Sequence, residues 1–88
     1  MKLIYCYNCD DIFKLDFELR QCKCGTCKGR YDSNGHTAVT NGAGISIGLN
    51  NMTLIQALAH IEDCPEVECW VRPNAGKKNK NCRVDEKL

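Results

Sequence analysis

Cys6-Tyr7-Asn8-Cys9 and Cys22-Lys23-Cys24-Gly25-Thr26-Cys27 are the two cysteine-rich segments on which the fold of this 88-residue chain depends. They place five of its eight cysteines within the first 27 residues, in two close groups. A tetrahedral zinc ion takes four thiolate or imidazole ligands at about 2.0–2.3 Å, and each close pair can span one edge of the tetrahedron. The spacing therefore predicts a structural metal site in this part of the chain.

Four of these five cysteines are the predicted ligands: Cys6, Cys9, Cys22 and Cys24. Residues i and i+2 of a strand point the same way about 6.6 Å apart, so Cys22 and Cys24 can share a metal. Cys27 is the alternative to Cys22, because Cys24 and Cys27 repeat the C-x2-C spacing of the first pair. One Zn2+ is expected. Iron is the alternative for four thiolates, but nothing else in the sequence indicates electron transfer.

A second metal site is a further hypothesis, from the C-terminal half. His60 and Cys64 stand one helical turn apart, and with Cys69 and Cys82 they would supply four ligands and bring the number of zinc ions to two. The simpler alternative is that Cys69, which alternates with two valines, packs in the core and that Cys82 lies in a mobile tail.

Residues 13–20 alternate between apolar and charged side chains, which favours a β-strand. A single strand of this length would span about 26 Å, yet Cys9 and Cys22 must end close together to share a metal. We therefore expect a tight reversal near residues 15–18 and a β-hairpin that rises from the two cysteine groups.

The rest of the chain predicts a small α+β domain, in which antiparallel strands and one helix are stapled by zinc. A capping Asn50 or Asn51 precedes apolar residues at helical spacing, which predicts a helix over 51–63. This helix is expected to cover an apolar strand face. Further strands are predicted at 36–40, 44–49 and 66–71, and the apolar face is that of Ile45, Ile47 and Leu49.

Residues 2–29 resemble the zinc-ribbon class, in which two rubredoxin-type knuckles present paired cysteines across a β-hairpin. The first pair has the knuckle spacing, although Asp10 stands where these knuckles usually carry glycine. In the second group Gly25 is in register, but the cysteine pair before it is one residue short. The resemblance implies a zinc-stapled hairpin and a non-catalytic binding module that acts through a macromolecular partner, most simply a protein.

A single domain is expected over residues 1–88. Its zinc-ribbon-like part covers 1–29, strands and the 51–63 helix cover 30–73, and a flexible basic tail covers 74–88. The stretch 44–51 also loosely resembles short bacterial and phage proteins. That resemblance implies an alternative function, a phage-type anti-defence or host-takeover inhibitor that binds a host protein or sequesters a small nucleotide signal in the host cytoplasm.

Charge is unevenly distributed along the chain, although the formal net charge is only +1. Residues 1–71 carry six Lys and Arg against nine Asp and Glu, whereas residues 72–83 carry five basic residues and no acidic one. Basic side chains beside an aromatic ring can contact a phosphate backbone and stack on bases. Nucleic-acid binding is therefore a third hypothesis, with candidate partner-binding residues Trp70, Arg72, Lys77, Lys78, Lys80 and Arg83.

Enzyme activity is not expected, because a four-thiolate site leaves no open coordination position. The enzyme alternative is a thiol oxidoreductase, since residues 24–27 read C-G-x-C, but the glycine-rich stretch after them does not predict the helix that such a motif opens. No apolar run of about 18 residues predicts a membrane span. Residues 1–5 lack the apolar region of a secretion signal, so we expect a reducing, cytoplasmic location.

Overall fold

The computed structural model describes residues 1–74, 76 and 79–88. Eight short strands, one α-helix and one 3-10 turn make up its secondary structure. In chain order they are β1 (Lys2–Tyr5), β2 (Ile12–Lys14), β3 (Arg20–Gln21), β4 (Lys28–Tyr31), β5 (Ala38–Thr40), β6 (Ile45–Leu49), α1 (Asn51–Ala59), the 3-10 turn (Ile61–Asp63), β7 (Cys69–Arg72) and β8 (Cys82–Val84).

The strands form two four-stranded sheets, and this arrangement with one helix in the described residues confirms the predicted α+β class. Sheet 1 has the order β2-β1-β6-β7, and all of its pairs are antiparallel. Sheet 2 has the order β3-β4-β5-β8. Its β5–β8 pair is parallel, which departs from the all-antiparallel prediction.

The predicted hairpin over residues 13–20 is wrong. β2 pairs with β1 in sheet 1, and β3 pairs with β4 in sheet 2. The chain changes sheet between Leu15, whose N–H donates to the Lys2 carbonyl at 3.1 Å, and Asp16, whose carbonyl accepts from the Tyr31 N–H at 2.8 Å. The alternation correctly indicated extended chain, but each cysteine loop is the turn of its own hairpin, so the outgoing and returning strands have different partners.

The core draws side chains from both sheets and from the cysteine loops. Ile4 and Leu15 are almost fully buried, and the Tyr31 hydroxyl of sheet 2 accepts a hydrogen bond from the Lys2 N–H of sheet 1 at 3.1 Å. The core therefore holds the sheets together next to the cysteine loops. Its buried members are Ile4, Cys6, Phe13, Leu15, Cys22, Cys27, Ala38 and Cys82.

The helix is shorter than predicted and does not cover the sheet. Asn50 caps it as expected, since its side-chain oxygen accepts from the N–H groups of Met52 at 3.0 Å and Thr53 at 3.2 Å. Ala57 is its only buried residue. The helix start is held beside β7, where the Thr53 hydroxyl accepts from the Glu68 N–H at 3.1 Å. The predicted cover over Ile45, Ile47 and Leu49 is therefore absent, and these three side chains are only half-buried.

The predicted flexible tail contains an ordered strand. β8 runs parallel to β5, and Cys82 stands opposite Ala38 in the core with only 6% of its surface exposed. Backbone hydrogen bonds from Ala38 N to Asn81 O (2.8 Å) and from Asp85 N to Thr40 O (2.7 Å) extend this pairing. A strand forms here because it fills the core and pairs the free edge of β5. Ala75, Lys77 and Lys78 lie outside the described residues.

β7 begins three residues later than the predicted strand and turns Cys69 outward. Cys69 is exposed, so the prediction of a core cysteine at this position is wrong. The strand still alternates, but its inward residue is the half-buried Trp70. Within the described residues, no helix has the length and apolar character that a bilayer crossing requires.

Candidate metal centre

Four cysteine sulfurs come together where the two cysteine loops meet. The Sγ atoms of Cys6, Cys9, Cys22 and Cys24 all lie within 4.8 Å of one another. Cys24 Sγ is 3.7 Å from Cys6 Sγ and 3.5 Å from Cys22 Sγ. A metal with about 2.3 Å bonds to four tetrahedral sulfurs needs sulfur–sulfur separations of about 3.8 Å. The cluster therefore has the size and the donor set for one metal ion.

The two loops that carry these sulfurs are closed in the same way. The N–H of Cys6 donates to the Asp11 carbonyl at 2.9 Å, and the N–H of Cys22 donates to the Cys27 carbonyl at 3.0 Å. Each loop also contains a left-handed residue, Asp10 at φ 58° and Gly25 at φ 78°. Aspartate is among the few residues that tolerate this conformation. The loop geometry is thus kept where the sequence lacks the usual glycine.

Polar contacts join the first loop to the second. The Asp11 carboxylate accepts from the Lys23 N–H at 3.1 Å, and the Asn8 side-chain amide donates to Cys24 Sγ at 3.3 Å. Within the first hairpin, the Tyr5 hydroxyl donates to the Asp10 carboxylate, which raises the pKa of Tyr5. Such outer contacts orient metal ligands and hold them ready. These outer residues were not predicted, and the only sequence signal is that polar residues lie between or beside the cysteines.

Hydrogen bonds favour the thiolate at Cys24. The Thr26 hydroxyl, whose oxygen is 3.2 Å from Cys24 Sγ, and the Asn8 side chain lower the pKa of Cys24 to about 5. Burial alone would raise the pKa of Cys22, but the N–H of Cys27, 3.3 Å from Cys22 Sγ, contributes to a net lowering. A metal ligand must be deprotonated, so both shifts favour metal binding.

Cys27 lies outside the four-sulfur group and packs in the core. It is 1% exposed, and burial raises the pKa of its thiol. A Cβ added at Gly44 would lie 2.8 Å from Cys27 Sγ and 2.4 Å from the Tyr5 carbonyl oxygen, so the chain passes very close to this thiol. Of the two sets considered from the sequence, the structure gathers the one that contains Cys22.

The second predicted metal site is not formed. Among the described residues, no three of its four members approach each other as ligands of one ion would. Cys82 is buried in sheet 2, whereas Cys69 faces outward from sheet 1. His60 and Cys64 are both exposed near the helix end. Helical spacing had suggested a chelating pair, but the helix ends at Ala59, before either residue.

The predicted basic surface is divided between the two sheets. The Arg72 guanidinium lies 5.0 Å from the ring centre of Trp70 on sheet 1. Arg83, on sheet 2, forms an ion pair with Asp32 at 3.4 Å. Lys80 is exposed, and Lys77 and Lys78 lie outside the described residues.

Comparisons of the chain with protein-family models, with curated proteins and with solved structures found no match.

Proposed function

We propose that this protein is a non-catalytic binding module of zinc-ribbon type, in which one Zn2+ holds the two cysteine loops together. The observation that carries the proposal is the group of four sulfurs within 4.8 Å of one another. The similar closure of the two loops also supports it, because paired knuckles are the defining feature of zinc ribbons. Thiolates are ligands that zinc prefers, and zinc has no redox chemistry.

The residues that would hold the ion are Cys6, Cys9, Cys22 and Cys24. When bound, the metal would supply structural cross-linking, since four protein ligands leave no open position for a substrate. Asn8 and Thr26 would orient the Cys24 side chain and favour its thiolate form. The proposal requires a reducing compartment such as the cytoplasm, because oxidation to disulfides would remove the thiolates.

An exposed apolar stripe on α1 supports a protein as the partner. Met52, Ile55 and Leu58 recur at three-residue spacing and are 65%, 63% and 63% exposed. Beyond the helix, Ile61 is 68% exposed. Exposed apolar patches on small proteins commonly mark interaction surfaces. The acidic residues that follow the stripe are all exposed: Glu62, Asp63, Glu66 and Glu68.

The outer face of sheet 1 adds to the apolar surface that the helix leaves uncovered. Leu3, Ile47 and Val71 stand side by side across β1, β6 and β7, and Val71 is 66% exposed. The partner that fits these features is a protein with an apolar centre and a basic rim, which would meet the acidic end of the stripe.

The test is a capture experiment with matched variants of the zinc-loaded protein. Ile55→Gln and Leu58→Gln replace exposed apolar side chains, so they should leave the fold intact, and Gln56→Ala is the control on the same helix. A supporting result is a protein that wild type and the control capture but the two apolar variants do not, and that binds directly once purified. Equal capture by all four proteins would contradict the proposed surface.

A further inference from the structure

The inner face of sheet 1 holds a cavity of about 120 Å³ beside the core. Ser46 pairs with Arg72 and Gly48 pairs with Trp70, so these four residues stand on one face of β6 and β7. Lys2 lies opposite Gly48 on β1, and its side chain lines the same cavity. Ile4, the next inward residue on β1, is buried in the core. The cavity is therefore the part of this face that the core does not fill.

Among the described residues, those that line the cavity carry positive charge and no carboxylate. Lys2 Nζ donates to the backbone carbonyls of His36 at 2.7 Å and Asn81 at 3.0 Å, which leaves one of its three protons for another acceptor. In the part of the chain that the structure describes, no acidic side chain pairs with Lys2 or Arg72. Burial lowers the pKa of Lys2, and the nearby charge of Arg72 adds to the lowering. Lys2 and Arg72 both line the cavity, so an anion bound there would face two cations.

Arg72 is already held in place for such an anion. A Cβ added at Gly48 would lie 2.6 Å from Trp70 Nε1, so the indole can lie flat against the strand only because residue 48 is glycine. The guanidinium of Arg72 lies 5.0 Å from the ring centre on this indole. A cation held over an aromatic ring keeps its N–H donors free, and guanidinium groups suit the geometry of phosphate oxygens.

A buried amide completes the polar wall. Asn79 is 9% exposed, and its Nδ2 donates to Ser46 Oγ at 3.4 Å and to the Pro73 carbonyl at 3.0 Å. These bonds hold the Asn79 side chain against Ser46 of β6. The cavity is smaller than the roughly 150 Å³ that holds a benzene molecule and well below the roughly 300 Å³ of drug-sized sites. The cavity therefore fits a single tetrahedral oxyanion, and any group attached to this anion would extend into solvent.

We propose that this cavity binds the phosphate group of a small phosphate monoester, such as a nucleoside monophosphate, between Lys2 and Arg72. The site uses neither the cysteine cluster nor the apolar stripe on α1. Failure of this proposal would therefore not affect the proposed zinc-stabilised module, and failure of the module would not affect this site.

The experiment uses the intrinsic fluorescence of the full chain, because Trp70 is the only tryptophan. Inorganic phosphate, adenosine monophosphate and adenosine are titrated at constant ionic strength, and calorimetry repeats each titration without reliance on fluorescence. We expect saturable binding of both phosphate-bearing probes and none of adenosine. Tighter binding of the nucleotide than of inorganic phosphate would identify the monoester as the ligand, and equal binding would identify the free anion.

Matched variants locate the binding. Arg72→Gln and Lys2→Gln should each weaken binding of the phosphate probes about tenfold or more, the usual effect of losing a charge-assisted hydrogen bond. Arg83→Gln changes an arginine on sheet 2, and Lys14→Gln changes a lysine on the opposite face of sheet 1, across from Leu3, so both should bind normally. Thermal unfolding of every variant checks that the fold is kept.

Three results would overturn the proposal. The first is the absence of binding by either phosphate probe in calorimetry. The second is equal binding of adenosine and its monophosphate, which would mean recognition of the base. The third is binding that Arg72→Gln and Lys2→Gln weaken no more than the two controls do, which would indicate a general basic surface.

Discussion

Polar side chains from both cysteine loops form hydrogen bonds with the sulfur of Cys24. The Asn8 amide reaches it from the first loop, and the Thr26 hydroxyl reaches it within the second. The spacing of the five N-terminal cysteines predicted that their sulfurs meet, but it left Cys22 and Cys27 as alternatives for the fourth position of the cluster. The roles of Asn8 and Thr26 could not be predicted, because they depend on how two loops far apart in sequence face each other.

Replacement of Asn8 by alanine tests this outer contact. Asn8 is exposed, so Asn8→Ala removes a donor to Cys24 Sγ without opening the core. We expect about 10–100-fold weaker metal binding, as is usual for the loss of an outer-shell partner. Competition with a chromophoric chelator measures the affinity, and Gln56→Ala on the exposed side of α1 is the control. A metal affinity equal to that of wild type would show that the hydrogen bond from Asn8 to Cys24 Sγ does not contribute to metal binding.

The same contacts fix how metal binding depends on pH. The Thr26 hydroxyl and the Asn8 side chain lower the pKa of Cys24 to about 5. The thiolate therefore persists at neutral pH and becomes protonated as the pH falls through about 5, and protonation competes with the metal. We expect the protein to retain its metal at neutral pH and to release it, with uptake of protons, on acidification. A zinc-sensitive dye measures the released metal at each pH.

Asn8→Ala provides the internal comparison for this pH dependence. It removes one of the contacts that lower the pKa of Cys24, so its metal should be released at a higher pH than in wild type. Release of metal from the variant at the same pH as wild type, or at a lower one, would contradict the role of Asn8 in lowering the pKa of Cys24.

Strands and turns show what periodicity can and cannot specify. The strands predicted at 36–40 and 44–49 are present as β5 and β6, because alternation reports extended chain next to a buried face. Alternation does not indicate which strand pairs with which. For this reason residues 13–20 were predicted to form one hairpin, although their two halves pair with different strands. The apolar spacing of 51–63 likewise indicated a helix but not which surface, if any, it would cover.

Cys82 and Cys69 give a test at the level of elements, since the structure reverses their expected environments. Cys82→Ser places a hydroxyl in the core of sheet 2 and should lower the free energy of unfolding by about 1–3 kcal/mol, the cost of a buried polar group without a partner. Cys69→Ser changes an exposed side chain of β7 and should have an effect within about 0.5 kcal/mol. Urea unfolding of both variants measures the difference. Equal stabilities would contradict the position of β8 in the core.

Across the whole molecule, the cysteine cluster lies where the hairpins of both sheets turn. The first loop connects β1 to β2 in sheet 1, and the second connects β3 to β4 in sheet 2. A metal bound to both would cross-link the sheets beside the core that they share, and its binding free energy would add to folding. The sequence alone predicted the fold class and this cluster. Long-range pairing, above all the return of β8 to β5, could not be predicted because no local pattern encodes it.

The number of metal ions per chain tests the four-cysteine site most directly, and native mass spectrometry on protein purified under reducing conditions measures it. Wild type and Cys27→Ala should each carry one zinc ion, since Cys27 lies outside the four-sulfur group. Cys24→Ser, which alters an exposed ligand, should carry none, and Cys64→Ser, which alters an exposed thiol elsewhere, should carry one. Metal-free wild type, or zinc kept by Cys24→Ser and lost by Cys27→Ala, would contradict a zinc site made of Cys6, Cys9, Cys22 and Cys24.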